Sequence, residues 1–237
     1  MRADTVLLAF PGINTVTPTF LCGLVDMSAR HGWDPNGIAL VISEESSFNP
    51  AAKNPHSTAS GLIQFIEPTA ASLGTTTAQI RATSAEQQLP LVERFFATSL
   101  NGKIPARIED YFLAVLGRPD LIGQPDTTTV FAKGSSGYAG NPQIDLDKNG
   151  VITVGDARAY MQNVLNRAQG TVVVSPSICY ETLTPPTSTS NAGLVAVAVG
   201  LIALVGGVGY SLFKVFDSRA PEPEFDPRPA RVRRVPF

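Results

Sequence analysis

Two stretches of the 237-residue chain carry side chains at spacings that could do chemistry. In the first, Ile38, Val41, Ile42 and Glu45 fall at i, i+3, i+4 and i+7, so Glu45 continues an apolar helical stripe instead of opposing it. Its neighbour Glu44 lies about 100° around the helix, toward solvent. A carboxyl on the buried face, close to the helix end and lined by Phe48, loses water, and burial penalises its charged form. Held protonated near neutral pH, such a group can act as a general acid on a glycosidic oxygen. The plain alternative is a glutamate at a helix terminus facing water. In the second stretch, Asp145, Asp147, Asn149, Thr153 and Asp156 put oxygen donors at loop positions 1, 3, 5, 9 and 12, with Gly150 at position 6 and the Val151 carbonyl next. This spacing is that of an EF-hand-like calcium loop, with Ca2+ in a structural role as the expected occupant and a metal-free Asx turn as the alternative. Asp156 is shorter than the usual bidentate Glu, and the Gly-rich segment 134–142 is not expected to form an entering helix. Tyr160, Met161, Val164, Leu165 and Ala168 predict a helix after the loop.

The elements that must position these groups read as helices. Phe20, Leu21, Leu24, Val25 and Met27 give Thr17 to His31 one apolar face. Asp34-Pro35, an N-cap followed by Pro at the first helical position, opens the Glu45 helix, which runs to about Ser46. Thr69 to Leu73, Ser84 to Leu100 and Ile108 to Leu116 also read as helices, and Gln87 stands at capping-box spacing from Ser84. The one strand candidate is Thr171 to Val174. The fold class expected is mainly α.

Glu45-Ser46-Ser47-Phe48-Asn49-Pro50-Ala51-Ala52, followed by Gly61-Leu62-Ile63-Gln64-Phe65-Ile66-Glu67-Pro68-Thr69-Ala70, resembles the lytic transglycosylase (goose-type-lysozyme-like) family. The resemblance implies a lysozyme-like fold, with Glu45 as catalytic acid/base, Ser46 as its support and Gln64 as a glycan-contacting residue. Many relatives carry the Pro one residue earlier, where this chain has Glu67. Segments around Leu73, Asp110 to Leu116 and Tyr138 to Asn141 look like those of phage-encoded members, so the likeness spans about residues 15–168. The Ala-Tyr-Asn-Ala-Gly block of cellular relatives is missing; Tyr111 or Tyr138 stands in for its Tyr as a substrate contact, the alternative being a half-buried core aromatic. The resemblance implies cleavage between N-acetylmuramic acid and N-acetylglucosamine by one carboxyl, leaving a 1,6-anhydro end. A lysozyme-type hydrolase, and a non-catalytic glycan-binding or structural virion protein, are the other readings.

Composition bounds the rest. The chain is 43% hydrophobic and 16% charged with net charge −2, which excludes disorder and a global basic field for nucleic acid. Cys22 and Cys179 fit either a disulfide or two buried thiols. The apolar stretch from Val6 ends at Pro11, too short for a secretory signal. From Thr182 to Phe213 there is no charge, and residues 192–213 form an apolar run of about 33 Å as a helix, enough to span a bilayer. Lys214, Arg219, Arg228, Arg231, Arg233 and Arg234 come after it, so the tail is expected on the cytoplasmic side. The expected organisation is a lysozyme-like domain over 1–142, a calcium loop and helix over 143–170, a flexible tether over 171–191, a transmembrane helix over 192–213 and a Pro/Arg-rich tail over 214–237. Expected partners are peptidoglycan glycan strands, a lipid membrane and other virion proteins reached by the tail. A component of a phage virion membrane that opens the wall during genome entry fits these features.

Overall fold

The computed structural model describes residues 4–177 and residue 179. Strand β1 (Thr5–Leu8) leads into α1 (Pro18–His31) and α2 (Pro35–Ser46), then short α3 (Glu67–Ser72) and α4 (Thr77–Arg81), long α5 (Ala85–Leu100) and short α6 (Tyr111–Val115). Strand β2 (Thr129–Ala132), the single turn α7 (Ser136–Gly140), strand β3 (Val151–Thr153), helix α8 (Val154–Leu165) and strand β4 (Thr171–Val174) complete it. The fold is mainly helical, as expected. Helix starts are set locally: the Thr17 hydroxyl accepts from the Phe20 N–H, the Asp34 carboxylate accepts from the Asn36 N–H, and Ser84 and Gln87 form a full capping box.

One core runs through the whole body. Phe20, Phe48, Phe65, Phe96 and Phe112 are buried around α2, whose residues 37–45 are themselves all buried. The Tyr111 ring packs against Gly37 of α2, and its hydroxyl accepts from the Asp34 N–H at 2.8 Å. With no exposed surface, Tyr111 is a core residue, which corrects its expected place among substrate contacts.

Two expected boundaries are also corrected. Strand β2 pairs antiparallel with β3, and α8 packs on α2, so residues 143–170 belong to the same core as the residues before them. Thr171 to Val174, placed at the start of the expected tether, instead form the predicted strand, in register with Leu8 to Thr5 of β1. Cys179 is disulfide-bonded to Cys22 of α1, closing one of the two alternatives left by the sequence. Residues 180–191, the expected membrane span 192–213 and the tail lie outside the described residues. Among the described residues, no helix is long and apolar enough to cross a membrane.

The bond ties the two ends of the body together across 157 residues of chain. Replacing both Cys22 and Cys179 by Ala is expected to lower the unfolding free energy by about 2–4 kcal/mol. Thermal melting of the variant beside oxidised and reduced wild type measures this loss.

Candidate active site

Glu45 lies in the last turn of α2 and is 6% exposed. Its Oε2 is buried without a hydrogen-bond partner. Burial first, and the adjacent Glu44 charge second, push its carboxyl well above the usual carboxylate range. A helix C-terminus adds to this, because the unpaired carbonyls there repel an anion.

The backbone around Glu45 is held by an unusual set of contacts. Ser47 ends α2 in the left-handed region, and Phe48 comes next at φ 61°, a conformation that a bulky side chain rarely adopts. Gln64 has φ 51°, so three non-glycine residues of the two motif blocks carry strained backbone. The Ser46 hydroxyl donates to Ile42 O at 3.1 Å and to Leu62 O at 2.9 Å, joining the helix end to the second block. Gln88 of α5, fully buried, does more: its Oε1 accepts from the Leu62 N–H, and its Nε2 donates to the carbonyls of Pro50 and Ile80. A Cβ on Gly61 would stand 2.6 Å from Gln88 Oε1, so the turn at φ +78° admits glycine alone. On the other side, a Cβ on Gly12 would stand 2.1 Å from Ser47 O, and the Ser43 hydroxyl donates to Pro11 O. The chain from Phe10 to Gly12 is thereby wedged against the turn just after Glu45.

A cavity of about 420 Å³ opens beside that turn, lined by residues 15–17, 47–50 and 84–86. Its wall begins two residues beyond Glu45. The structure thus brings Glu45, Ser46 and the Gly61–Gln64 turn together. Gln64 is buried, and its amide nitrogen donates to Gly61 O at 3.0 Å, shaping the turn from within.

Other expected groups stand apart. Tyr138 lies on α7, and its hydroxyl donates to Asp145 Oδ2 at 2.6 Å, which commits it to the loop. In that loop Asp145 and Asp147 both accept from the Asn149 N–H, and the Asn149 side-chain carbonyl oxygen accepts from the Val151 N–H. Asp145 Oδ2 also accepts from the Gly150 N–H, and Asp147 Oδ2 accepts from the Asn149 side-chain amide, so these oxygens bond within the loop. Asp156 does not join them: its carboxylate accepts from the Thr153 N–H and hydroxyl, capping α8. Among the described residues, no group of three or more His, Cys, Asp or Glu is disposed to hold a metal ion. The expected solvent-facing Glu44 is instead buried, accepting from the Tyr160 hydroxyl and from Arg167 at 2.7 Å. The face of α2 that carries it is covered by α8. Gln88 and the Tyr160–Arg167 pair were not singled out from the sequence; Gln88 falls on the apolar stripe of α5 beside Leu89 and Val92, the same anomaly that marks Glu45.

A raised carboxyl has a defined effect on stability. Folded protein holds the Glu45 proton at pH values where the unfolded chain, with a pKa of about 4.3, has lost it. Stability from this group is therefore full below about pH 4 and falls as pH rises toward the folded pKa. Glu45→Gln removes that loss, so its melting temperature is expected to exceed that of wild type at pH 7 and to match it near pH 4. Melting curves at both pH values provide the check.

No curated protein matches the chain. Residues 26–88 match the family model of the transglycosylase SLT domain, a stretch running from within α1 into α5 that contains Glu45, Ser46, Gln64 and Gln88.

Proposed function

We propose that this chain is a membrane-anchored peptidoglycan lytic transglycosylase in which Glu45 serves as both acid and base. The observation that carries this reading is the water-deprived Glu45 carboxyl, with Oε2 unpartnered, inside the stretch that matches the transglycosylase domain. Protonated Glu45 gives its proton to the oxygen bridging N-acetylmuramic acid and N-acetylglucosamine, and the bond from that oxygen to C1 breaks. The carboxylate then takes the proton of the muramoyl 6-hydroxyl, whose oxygen bonds to C1 and closes the 1,6-anhydro ring. Glu45 ends the cycle protonated.

Hydrolysis would call for a second carboxylate across the sugar. Neighbouring acids are engaged otherwise: Glu86, on the cavity wall, accepts from the Thr17 hydroxyl, Glu67 accepts from the Thr77 N–H and hydroxyl, Asp110 pairs with Arg158, and Glu44 pairs with Arg167. Glu109, on the turn 108–110, faces Arg107 at 3.9 Å. This supports internal attack by the sugar's own hydroxyl.

The setting we propose is a phage virion membrane, with the enzyme opening the wall during genome entry and its tail meeting other virion proteins. The apolar run 192–213, the basic tail beyond it and the phage-like later segments support it. So does the Cys22–Cys179 bond, since disulfides persist outside the reducing cytosol. Ca2+ in the 145–156 loop belongs to the same proposal: Asp145, Asp147 and Asn149 would hold it, and it would neutralise carboxylates that otherwise repel.

Digestion of purified peptidoglycan by the full chain is expected to release 1,6-anhydromuramoyl products, with Glu45→Gln reducing the rate at least about 100-fold. Product masses decide the matter. A reducing muramic end would make the enzyme a hydrolase, and undiminished clearing by Glu45→Gln would remove Glu45 from the chemistry. For the loop, Ca2+ is expected to raise the melting temperature of wild type over that in chelator and to leave Asp147→Asn unmoved; equal melting of wild type in both conditions would overturn the cation.

A further inference from the structure

Consecutive glutamates, Glu44 and Glu45, are both buried on the last turns of α2, at 5% and 6% exposure. Burying one carboxyl at a catalytic position has a chemical reason; burying its neighbour adds a second desolvation cost that an apolar residue would avoid. The cost is offset in a specific way. Arg167, just beyond α8, donates to Glu44 Oε2 at 2.7 Å, and the Tyr160 hydroxyl donates to Oε1. Tyr160 is itself fixed by stacking on Phe112, with ring centroids 6.0 Å apart. Arg167 is 58% exposed while the Glu44 side chain is 3% exposed, so the pair reaches from the solvent to the buried last turns of α2 that also carry Glu45. Both partners lie outside residues 26–88, on an element the family match does not include.

Resting on the transglycosylase reading, we propose that Glu44 is a positioning residue for Glu45: anchored by Arg167 and Tyr160, it sets the pH range in which Glu45 delivers its proton. A like charge one residue away opposes ionisation of Glu45, and the anchor keeps that charge at a fixed place and partly balanced.

The other ionisable groups on elements packed against α2 are spoken for. On α1, Arg30 and His31 engage Glu93, and Asp26 also has a partner. On the turn 108–110, Asp110 is locked to Arg158 of α8, while Glu109 faces Arg107. Asp156 caps α8, Tyr111 of α6 accepts from Asp34 N–H, and β1 carries no ionisable side chain. Glu44 and Arg167 are therefore the pair whose removal changes the field at Glu45 in opposite senses.

The test is the pH profile of kcat/KM for the full chain on peptidoglycan, read from anhydro-product release. The alkaline limb tracks loss of the Glu45 proton. Glu44→Gln removes a negative neighbour, so the limb is expected to move down by about one pH unit, a tenfold change in proton affinity. Arg167→Gln leaves the Glu44 charge uncompensated, so the limb is expected to move up, by less because water screens an exposed cation. A merely structural ion pair would lower activity in both variants without moving the limb in opposite directions. A limb unmoved in both, or moved the same way in both, overturns the proposal. Should Glu44→Gln fail to fold, as judged by circular dichroism, the exposed Arg167→Gln decides alone, and no upward move is the negative result. Glu45→Gln serves as the separate control: activity in that variant sinks the transglycosylase reading itself, whereas its inactivity beside an unmoved Glu44→Gln profile sinks only this inference.

Discussion

Keeping water off the Glu45 carboxyl at the C-terminal end of α2 costs free energy that the surrounding backbone has to offset. The helix end repels an anion there, and Oε2 has no donor to satisfy it. The arrangement is held by bonds that the neighbours make rather than Glu45. Ser46 reaches Leu62 O, Gln88 closes on Leu62, Pro50 and Ile80, and Gly12 lets the N-terminal segment lie against Ser47 O. The strained backbone at Ser47, Phe48 and Gln64 persists because these contacts over-determine it. The result is a helix end where the Glu45 carboxyl is buried without a donor beside the Glu44 charge, and a proton is more easily kept there than in water.

Much of the support comes from outside the stretch that carries the motifs. The segment from Phe10 to Gly12 lies before it, and α8 with Arg167 lies after it. Two buried or half-buried ion pairs, Glu44 with Arg167 and Asp110 with Arg158, fasten α8 to α2 and to the turn 108–110. Such pairs contribute little net stability against an apolar substitute, but breaking one leaves a buried carboxylate unpaired, which is costly. They therefore specify where α8 sits more than they strengthen the fold, and the 145–156 loop is held in place because α8 begins at its end.

The features legible in the sequence are the local ones. The starts of α1, α2 and α5 are set by Thr17, Asp34 and Ser84, since a cap and a 3.6-residue period act within one or two turns. Glu45 is legible for the same reason: a charged residue in an apolar stripe is visible without knowing what covers it. Gln88 sits on the apolar stripe of α5 in the same manner and is open to that rule as well. Glu44 is not. Its angle around α2 is readable, but which face meets solvent depends on α8, more than a hundred residues away in the chain, with Tyr160 and Arg167 at sequence separations of 116 and 123. The two tyrosines mislead for a related reason. An aromatic ring with a hydroxyl suits a groove or a core equally well, and only the Asp34 N–H and the Asp145 carboxylate reveal where each hydroxyl is satisfied. Strand β4 is visible as a β-branched run, whereas its partner β1 is not, because four-residue strands acquire meaning only when paired.

The pairing of β1 with β4 also determines how the body is connected to the chain beyond residue 179. Asn36, at the start of α2, accepts from the Leu8 N–H and donates to Val6 O, so β1 is bonded to α2 at the end opposite Glu45. Beyond β4, Cys179 is bonded to Cys22 of α1, which packs on both α2 and α5. The chain thus leaves the described body from a point fastened to two helices, and neither fastening uses the strained turn at Ser47 and Phe48. A load on residues beyond 179 would pass into a covalent bond and a strand pair. Such a load would leave the turn beside Glu45 undisturbed.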